Sequence, residues 1–326
     1  MRQAYHFFIM RIVIQERGLA AVILSASRRT DIPNYYPEWF FNRLKEGYAY
    51  VRNPMNPRQV SKVPVTPDVV DCIVFWTKNP ARMLGRLDEL AAYNYYFQFT
   101  LTGFGQDVER GVPHKRKKMI PIFKELSRRI GKERVIWRYD PIIITERYSA
   151  AYHINAFRQI AEALDGYTQK VVISFVDMYS KIRKNVEKLG MEEISSVEKL
   201  ELASRLSFIA RENHMDIGAC AEETDFSEAG IGKNSCIDKQ LIEELCGYPL
   251  NVPKDRNQRK ACGCVESIDI GTYNTCRNGC AYCYANYSEK SVATAVKNYD
   301  AASPLLCGRV MPEDIIKTRA VKSLKA

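Results

Sequence analysis

Six short apolar runs alternate with helical stretches along the first two-thirds of the chain, and this alternation most constrains the fold. The runs are rich in β-branched and aromatic residues and almost continuously hydrophobic, as in DCIVFWT at residues 71–77. Such strands are typical of a parallel sheet with both faces covered. They occupy residues 21–27, 71–77, 95–102, 134–139, 171–176 and 216–220. We therefore predict an α/β fold, a partial or closed (β/α) barrel of about six to seven parallel strands.

Helical periodicity fills the intervals between these strands and continues beyond the last of them. The predicted helices cover residues 37–46, 80–92, 117–130, 151–164, 181–189, 197–213 and 238–246. A further strand is predicted at residues 266–273, and one helix near residues 312–319 in a tail, 288–326, that is otherwise irregular. We divide the chain into barrel repeats at 1–218 and a cysteine-rich part at 219–326. We expect the second part to pack on the first as one structural unit.

Polar side chains follow the ends of several predicted strands. Ser25 and Arg28 lie at the end of the first, Lys78 follows the second, and Arg138 and Asp140 end the fourth. The carboxyl ends of parallel strands meet at one rim, where α/β proteins place their functional crevice. The pattern therefore predicts a binding site at that rim, lined by these five residues.

Charge and hydropathy limit the class of protein without naming a partner. The net charge of +10 is compatible with a phosphate-bearing partner, nucleic acid included, but does not specify one. No run of 18 or more uncharged apolar residues occurs, and charged residues interrupt the apolar N-terminal run at 7–24. We expect a cytoplasmic protein that does not associate with a membrane.

Cysteines are numerous, ten in all, and most lie between Cys220 and Cys283. In a reducing compartment, clustered cysteines indicate metal binding rather than disulfides. Cys276, Cys280 and Cys283 have the spacing C-x3-C-x2-C, with Tyr282 immediately before the third. Three thiolates on one loop can bind three irons of a [4Fe–4S] cluster and leave the fourth iron open. The alternative is a zinc knuckle, which needs a fourth ligand, and none of the four histidines lies near the loop in sequence.

This loop resembles that of the radical S-adenosylmethionine superfamily. The resemblance implies that the open iron chelates S-adenosylmethionine and that reduction yields a 5′-deoxyadenosyl radical, which abstracts hydrogen from a substrate. It also implies a flavodoxin- or ferredoxin-type reductant, and a place for Tyr282 beside the adenine. The substrate stays unknown; a nucleic acid is one possibility and a small molecule or peptide another.

A longer pattern resembles a bacterial domain-of-unknown-function family numbered 1848. The shared motifs are S-x-S-R-R-T-D-I-P at residues 25–33, F-W-T-K-N-P at 75–80 and the cysteine loop, so the resemblance covers roughly residues 22–290. Most radical S-adenosylmethionine enzymes carry the loop after the first barrel strand, whereas here it follows the last. A circularly permuted strand order would explain this, with strand 266–273 beside strand 21–27.

A more distant likeness connects two strand ends with the spore photoproduct lyase-type enzymes. It rests on T-K-N-P and R-Y-D-P-I, which contain Lys78, Arg138 and Asp140. The likeness implies that Lys78 approaches the cofactor carboxylate and that Arg138 and Asp140 line the same cavity. Ser25 and Arg28 are candidates for the same cofactor site. The usual G-G-E element is absent, so the contact to the methionine amino group is unassigned.

Four further cysteines could form a second metal site. Cys262 and Cys264 form C-G-C before the last predicted strand, Cys220 ends the sixth strand, and Cys236 lies in a loop. Together they offer four thiolates, enough for an auxiliary [4Fe–4S] cluster or a zinc ion. The alternative is a buried, small apolar role for Cys220 and a redox or incidental role for the C-G-C pair.

These observations leave three functional hypotheses. The first is a radical S-adenosylmethionine enzyme whose substrate is not identified. The second is a non-catalytic [4Fe–4S] protein that relays electrons or senses its environment. The third is a zinc-stabilised nucleic-acid-binding protein, suggested by the positive charge.

Overall fold

The computed structural model describes residues 22–176, 182–183, 187–320 and 324–325. The apolar N-terminal run therefore lies almost entirely outside the described residues, as do residues 181 and 184–186 of the helix predicted at 181–189. The strands in the described part of the chain are β1 Val22–Ala26, β2 Tyr48–Arg52, β3 Gln59–Pro64, β4 Val70–Thr77, β5 Tyr95–Thr100, β6 Val135–Ile142, β7 Lys170–Phe175, β8 Asp216–Cys220, β9 Gly232–Asn234, β10 Ile268–Asp269 and β11 Ile315–Thr318.

Eight of these strands form one sheet in the order β10-β1-β4-β5-β6-β7-β8-β9, and all of its pairs are parallel. The α/β class and all six strands predicted in the first two-thirds of the chain are confirmed. β9 had not been predicted, and it brings the number of strands to eight. Within the described residues no ladder joins β9 to β10, so the sheet is open at this point.

The strand before the cysteine loop does lie beside the first strand of the chain. β10 pairs in parallel with β1 through Leu24 opposite Ile268 and Ser25 opposite Asp269. The predicted neighbourhood of these two strands is therefore confirmed, although the strand is only two residues long instead of residues 266–273. It ends early because the Asp269 carboxylate accepts a hydrogen bond from the Gly271 N–H at 2.9 Å and turns the chain.

The two faces of the sheet pack against different parts of the chain. Phe75, Phe97 and Trp137 lie on the face covered by helices, whereas Val74 and Tyr96 lie on the opposite face. That second face is covered by residues 236–265. The helices are α1 Ile32–Tyr35, α2 Pro37–Glu46, α3 Ala81–Leu84, α4 Ile120–Ile130, α5 Ala150–Leu164, α6 Ser196–Glu212, α7 Lys239–Cys246 and α8 Glu289–Lys297. The division of the chain at residue 218 stays a prediction.

Three local predictions are wrong. The helix predicted at 80–92 is two short pieces, α3 and a 3-10 turn at Leu87–Leu90, separated at Gly85. The helix predicted at 312–319 is instead β11, whose β-branched residues pair with β3 in a second sheet of order β11-β3-β2. The tail is not otherwise irregular, because it contains the helix α8. Ser288 caps this helix by accepting a hydrogen bond from the Ser291 N–H.

None of the helices in the described part of the chain is long and apolar enough to cross a membrane.

Candidate functional site

The cysteine loop follows β10 and is held in place mainly through Asn278, which is buried at its centre. The Asn278 side-chain amide donates to the Asp31 carboxylate at 2.9 Å, and Tyr35 donates its hydroxyl to the Asn278 side-chain oxygen at 2.8 Å. The Gly111 N–H donates to the Asn278 backbone carbonyl at 2.7 Å. Both the side chain and the backbone of one residue thus dock the loop on the rim of the sheet.

Asp31 connects this loop to the ends of β1 and β4. Its buried carboxylate also accepts hydrogen bonds from the Thr77 hydroxyl at 2.7 Å, the Lys78 N–H at 2.9 Å and the Asn34 N–H at 3.1 Å. Burial raises the pKa of Asp31 above its ordinary value, and these hydrogen bonds oppose that rise. The Asp31 carboxylate therefore links the cysteine loop to the ends of β1 and β4, because donors from the loop and from the end of β4 are hydrogen-bonded to it.

A buried charge network lies directly beside the loop. The Lys78 ammonium contacts the Glu109 carboxylate at 2.7 Å and donates to the Tyr282 hydroxyl at 2.8 Å. Lys115 pairs with the other oxygen of Glu109, and Tyr282 donates its hydroxyl to the same carboxylate. One carboxylate therefore serves two ammonium groups, and the network carries one surplus positive charge.

The pKa values in this network reflect the shared carboxylate. Burial opposes ionisation of Glu109, but Lys78 and Lys115 outweigh burial and lower its pKa to about 2. Burial also opposes the charge on Lys78, yet Glu109 and any negative charge on Cys280 raise its pKa overall. The pKa of Lys115 is lowered, because burial and the charge of Lys78 together exceed the attraction of Glu109.

The three cysteines of the loop are half-buried and unpaired with one another. Burial raises the pKa of Cys276, of Cys280 (to about 12) and of Cys283, whereas Lys78 opposes the rise for Cys280 and Cys283. Negative charge on Cys280 or Cys283 raises the pKa of Cys276 further, so the three sulfurs share one electrostatic environment. A metal cation at this loop would supply the positive charge that three thiolates need.

The donor set of this loop fits an iron–sulfur cluster in its chemistry, since all three donors are free thiols. The side chains are not preformed for an ion, however. In the part of the chain that the structure describes, no group of three or more His, Cys, Asp or Glu side chains stands in an arrangement that could hold one. Binding at these cysteines would therefore require their side chains to turn.

Ser25 and Arg28 connect β1 to β10. The Ser25 hydroxyl and the Arg28 N–H donate to the Asp269 carboxylate at 2.7 and 2.8 Å. The Arg28 guanidinium donates to the Ser267 hydroxyl at 3.0 Å and lies 3.6 Å from Asp255. Both predicted cofactor residues are thus engaged in the pairing that positions the cysteine loop.

Arg138 and Asp140, at the end of β6, face a different set of cysteines. The Arg138 guanidinium donates to the Cys236 sulfur at 2.8 Å and to the Gln98 side-chain oxygen at 3.3 Å. It also pairs with Asp140, which in turn accepts from the Ser174 hydroxyl. The structure therefore places Arg138 beside the second cysteine group and Lys78 beside the first.

The second group consists of Cys220, Cys236, Cys262 and Cys264, which are all buried. The sulfurs of Cys220 and Cys236 are 3.1 Å apart, too far for the bond of about 2.05 Å in a disulfide. The Cys264 sulfur accepts a hydrogen bond from the Cys236 N–H at 3.3 Å. A hydrogen bond from Cys264 lowers the pKa of Cys262 to about 6. The structure brings together four cysteines that are dispersed over 45 residues of sequence.

With this geometry established, comparison with known proteins identifies the family. The family described as domain of unknown function (DUF1848) matches residues 23–285. The chain is a member of the DUF1848 family. The matched range contains every residue of both cysteine groups and, apart from Val22, the whole of the eight-stranded sheet. A search of curated proteins finds no match to the chain.

Several residues of the DUF1848 site were not anticipated from the sequence. Glu109, Lys115, Asn278 and Asp269 all lie in the network around the cysteine loop. Asp269 stands next to the loop in a predicted strand, where an acidic residue is unusual, and this could have been a signal. Glu109 gave none, because it lies in a stretch without periodicity.

Proposed function

We propose that the chain is a radical S-adenosylmethionine enzyme that binds a [4Fe–4S] cluster through Cys276, Cys280 and Cys283. The observation that carries the proposal is the docking of a three-thiol loop over a buried surplus of positive charge. The docking contacts run through Asn278, and the surplus charge comes from Lys78 and Lys115 around the single carboxylate of Glu109.

Charge balance supports an anionic group at this place. A [4Fe–4S] cluster in its oxidised form carries two positive charges, so with three thiolates it has one negative charge overall. The network beneath it carries one positive charge, and Lys78 already lowers the pKa of Cys280 and Cys283 against the effect of burial. The two charges offset each other in a site that is largely removed from water.

The cofactor would supply the hard chemistry, which is reductive cleavage of a sulfonium to a 5′-deoxyadenosyl radical. The protein's part is positioning. Asp31 and Asn278 fix the loop relative to the ends of β1 and β4. Tyr282 is held by Lys78 and packs near Phe104, with ring centroids 6.0 Å apart, so its ring offers a fixed apolar face at the rim.

Lys78 would hold the cofactor carboxylate only by sharing its ammonium with Glu109. An ammonium group has three hydrogen-bond donors, and two of them are used, for Glu109 and for Tyr282. One donor is thus left for a carboxylate. An external one-electron donor of the flavodoxin or ferredoxin type belongs to the same proposal, as does a substrate whose class the rim does not define.

The test is anaerobic reconstitution of the chain with iron and sulfide. We expect visible absorbance from thiolate-to-iron charge transfer and, after addition of S-adenosylmethionine and dithionite, formation of 5′-deoxyadenosine measured by liquid chromatography and mass spectrometry. Cys280→Ala should lose both signals. Cys246→Ala is the matched control, because Cys246 is also half-buried but lies on α7 outside both cysteine groups.

Two outcomes would contradict the proposal. A cluster that forms but gives no 5′-deoxyadenosine would favour the electron-transfer or sensor hypothesis. A colourless protein in which Cys280→Ala and Cys246→Ala retain equal amounts of metal would exclude this loop as the cluster site.

A further inference from the structure

The four cysteines of the second group lie at the opening of the large sheet. Cys220 ends β8 and Cys236 follows β9, which form one side of the opening, whereas Cys262 and Cys264 precede β10 on the other side. No backbone ladder connects β9 with β10 among the described residues. The four cysteines therefore come from chain segments on both sides of this opening.

The backbone around these cysteines is tightly ordered. The N–H groups of Cys236 and Ile237 both donate to the Cys264 sulfur at 3.3 Å, and the Val265 N–H donates to the Ile237 carbonyl at 3.3 Å. Paired N–H donors to one sulfur are typical of a thiolate that is fixed as a metal ligand. Residue 263 has no room for a side chain, because a Cβ there would lie 2.5 Å from the Ser235 hydroxyl; a glycine is therefore suited to this position.

Side chains from the sheet hold the same segment from inside. Tyr96 donates its hydroxyl to the Cys236 carbonyl at 2.6 Å, and the Gln98 amide donates to the same carbonyl at 3.0 Å. Arg138 reaches the Cys236 sulfur at 2.8 Å. Three residues from two neighbouring strands thus form polar contacts with one cysteine. A cysteine without a role beyond packing does not need so many polar contacts.

We propose that Cys220, Cys236, Cys262 and Cys264 bind one zinc ion, which fastens the two edges of the open sheet to each other. The site is structural, since four protein ligands close a tetrahedral zinc site and leave no position for a substrate. On binding, the thiols release their protons and the ion takes the place of those protons. This inference does not depend on the proposed radical chemistry.

The spacing of the sulfurs favours a single ion over a second cluster. Thiolates on tetrahedral zinc are about 3.8 Å apart, given a zinc–sulfur distance of about 2.3 Å. As for the first group, the described side chains do not stand in a metal-binding arrangement, so the ion requires them to rotate and the Cys220 and Cys236 sulfurs, 3.1 Å apart, to separate. A cubane binds each sulfur through a different iron and would spread the four much further.

Arginine side chains bring positive charge to such a site. Zinc with four thiolates carries two negative charges. Arg138 contacts Cys236 directly, and Arg28 lies close enough to Cys262 and Cys264 for their charges to interact. Two guanidinium groups therefore face the site in a buried position, where unpaired charge would be costly, and each also pairs with an aspartate, Arg138 with Asp140 and Arg28 with Asp255.

The experiment uses the full chain with Cys276, Cys280 and Cys283 all changed to Ala, purified in air, so that the first group cannot contribute. We expect mass spectrometry of the metal content to give one zinc per chain. X-ray absorption at the zinc edge should show four sulfur neighbours at about 2.3 Å. That measurement needs no change in the second group and so does not depend on whether a variant folds.

A double substitution in the same background, Cys262→Ser with Cys264→Ser, should lower the zinc content at least about tenfold. Cys246→Ser should leave it unchanged, because Cys246 lies outside the group. Iron and sulfide at this site in place of zinc would overturn the proposal. So would absence of bound metal, or a zinc neighbour shell with fewer than four sulfurs. If the chain with all three loop cysteines intact retains zinc but forms no 5′-deoxyadenosine after reconstitution, the proposed function alone is contradicted.

Discussion

Glu109 is the buried carboxylate on which the charge balance beside the cysteine loop depends. Its side chain is 0% exposed, and it is the shared partner of Lys78 and Lys115. The substitution Glu109→Gln keeps the shape of the side chain and removes its charge. Two partly buried ammonium groups then face each other with no carboxylate between them, which a low-dielectric environment penalises strongly.

The pKa of Glu109 gives the size of the effect. Burial would raise it, but the two lysines lower it from 4.5 to about 2. That gap corresponds to about 3 kcal/mol, at 1.36 kcal/mol per pKa unit. Because the folded-state pKa is the lower one, this stabilisation is complete above pH 4.5 and is lost as the pH falls toward 2. Removal of one partner of a buried ion pair typically costs about 3–5 kcal/mol, in agreement.

We therefore expect Glu109→Gln to lower the free energy of unfolding by about 3 kcal/mol at neutral pH. Urea unfolding followed by circular dichroism measures this, with Glu125→Gln as the control. Glu125 pairs with Arg129 at 2.7 Å on the exposed side of α4, where an ion pair contributes little to stability.

A second substitution sharpens the test. Glu109→Gln combined with Lys115→Met removes one of the two uncompensated ammonium groups and should recover part of the lost stability. If Glu109→Gln is no less stable than Glu125→Gln, or if the double variant is less stable than Glu109→Gln alone, the surplus-charge reasoning is refuted.

Three further outcomes follow from contacts already described. Burial lowers the pKa of His153 to about 4, and the Ile143 carbonyl only partly opposes this. The free energy of unfolding should therefore fall as the pH drops from 6.5 toward 4. In His153→Gln, the fall between pH 7.5 and 5 should be smaller than in the wild type by about 2 kcal/mol, as measured by urea unfolding. In Gly111→Ala the new Cβ would lie 2.7 Å from a backbone oxygen of the cysteine loop, so we expect a loss of about 1–3 kcal/mol in thermal unfolding and weaker retention of iron. Asn278→Ala removes a donor from the buried Asp31 carboxylate and should cost about 1–3 kcal/mol in chemical unfolding.

Each of these outcomes has a result that contradicts it. Gly85→Ala is the control for Gly111→Ala, because a Cβ at Gly85 meets no atom within 4 Å and its φ is −73°; equal melting temperatures would show that the loop is not docked at Gly111. An unchanged pH profile in His153→Gln would mean that this histidine does not titrate differently on folding. Wild-type stability in Asn278→Ala would remove Asn278 as the anchor of the loop.

The strands of the large sheet could be predicted because their hydrophobicity is nearly continuous. A strand such as β4 is buried on both faces, so nearly every residue of DCIVFWT has to be apolar, and this is visible in the sequence. The second sheet could not be predicted in the same way. β2 and β3 are only half-buried, and β11 is exposed along its length, so none of the three shows a strong periodic pattern.

The candidate site, too, could be predicted from the sequence only in part. The spacing of Cys276, Cys280 and Cys283 is local information, and it was available from the sequence. The role of Glu109 arises only from tertiary contacts, since its partners Lys78 and Lys115 come from different parts of the rim. No local pattern distinguishes such a glutamate from an exposed one.

The pairing of β10 with β1 also has a consequence for assembly during synthesis. β1 is among the first described residues to leave the ribosome, and its partner is among the last. Until β10 is made, one edge of β1 has no neighbouring strand, and an uncovered edge of an apolar strand is prone to pair with other chains. Nascent DUF1848 chains should therefore need protection of this edge until translation has passed the cysteine loop, and truncated chains that end before β10 should aggregate.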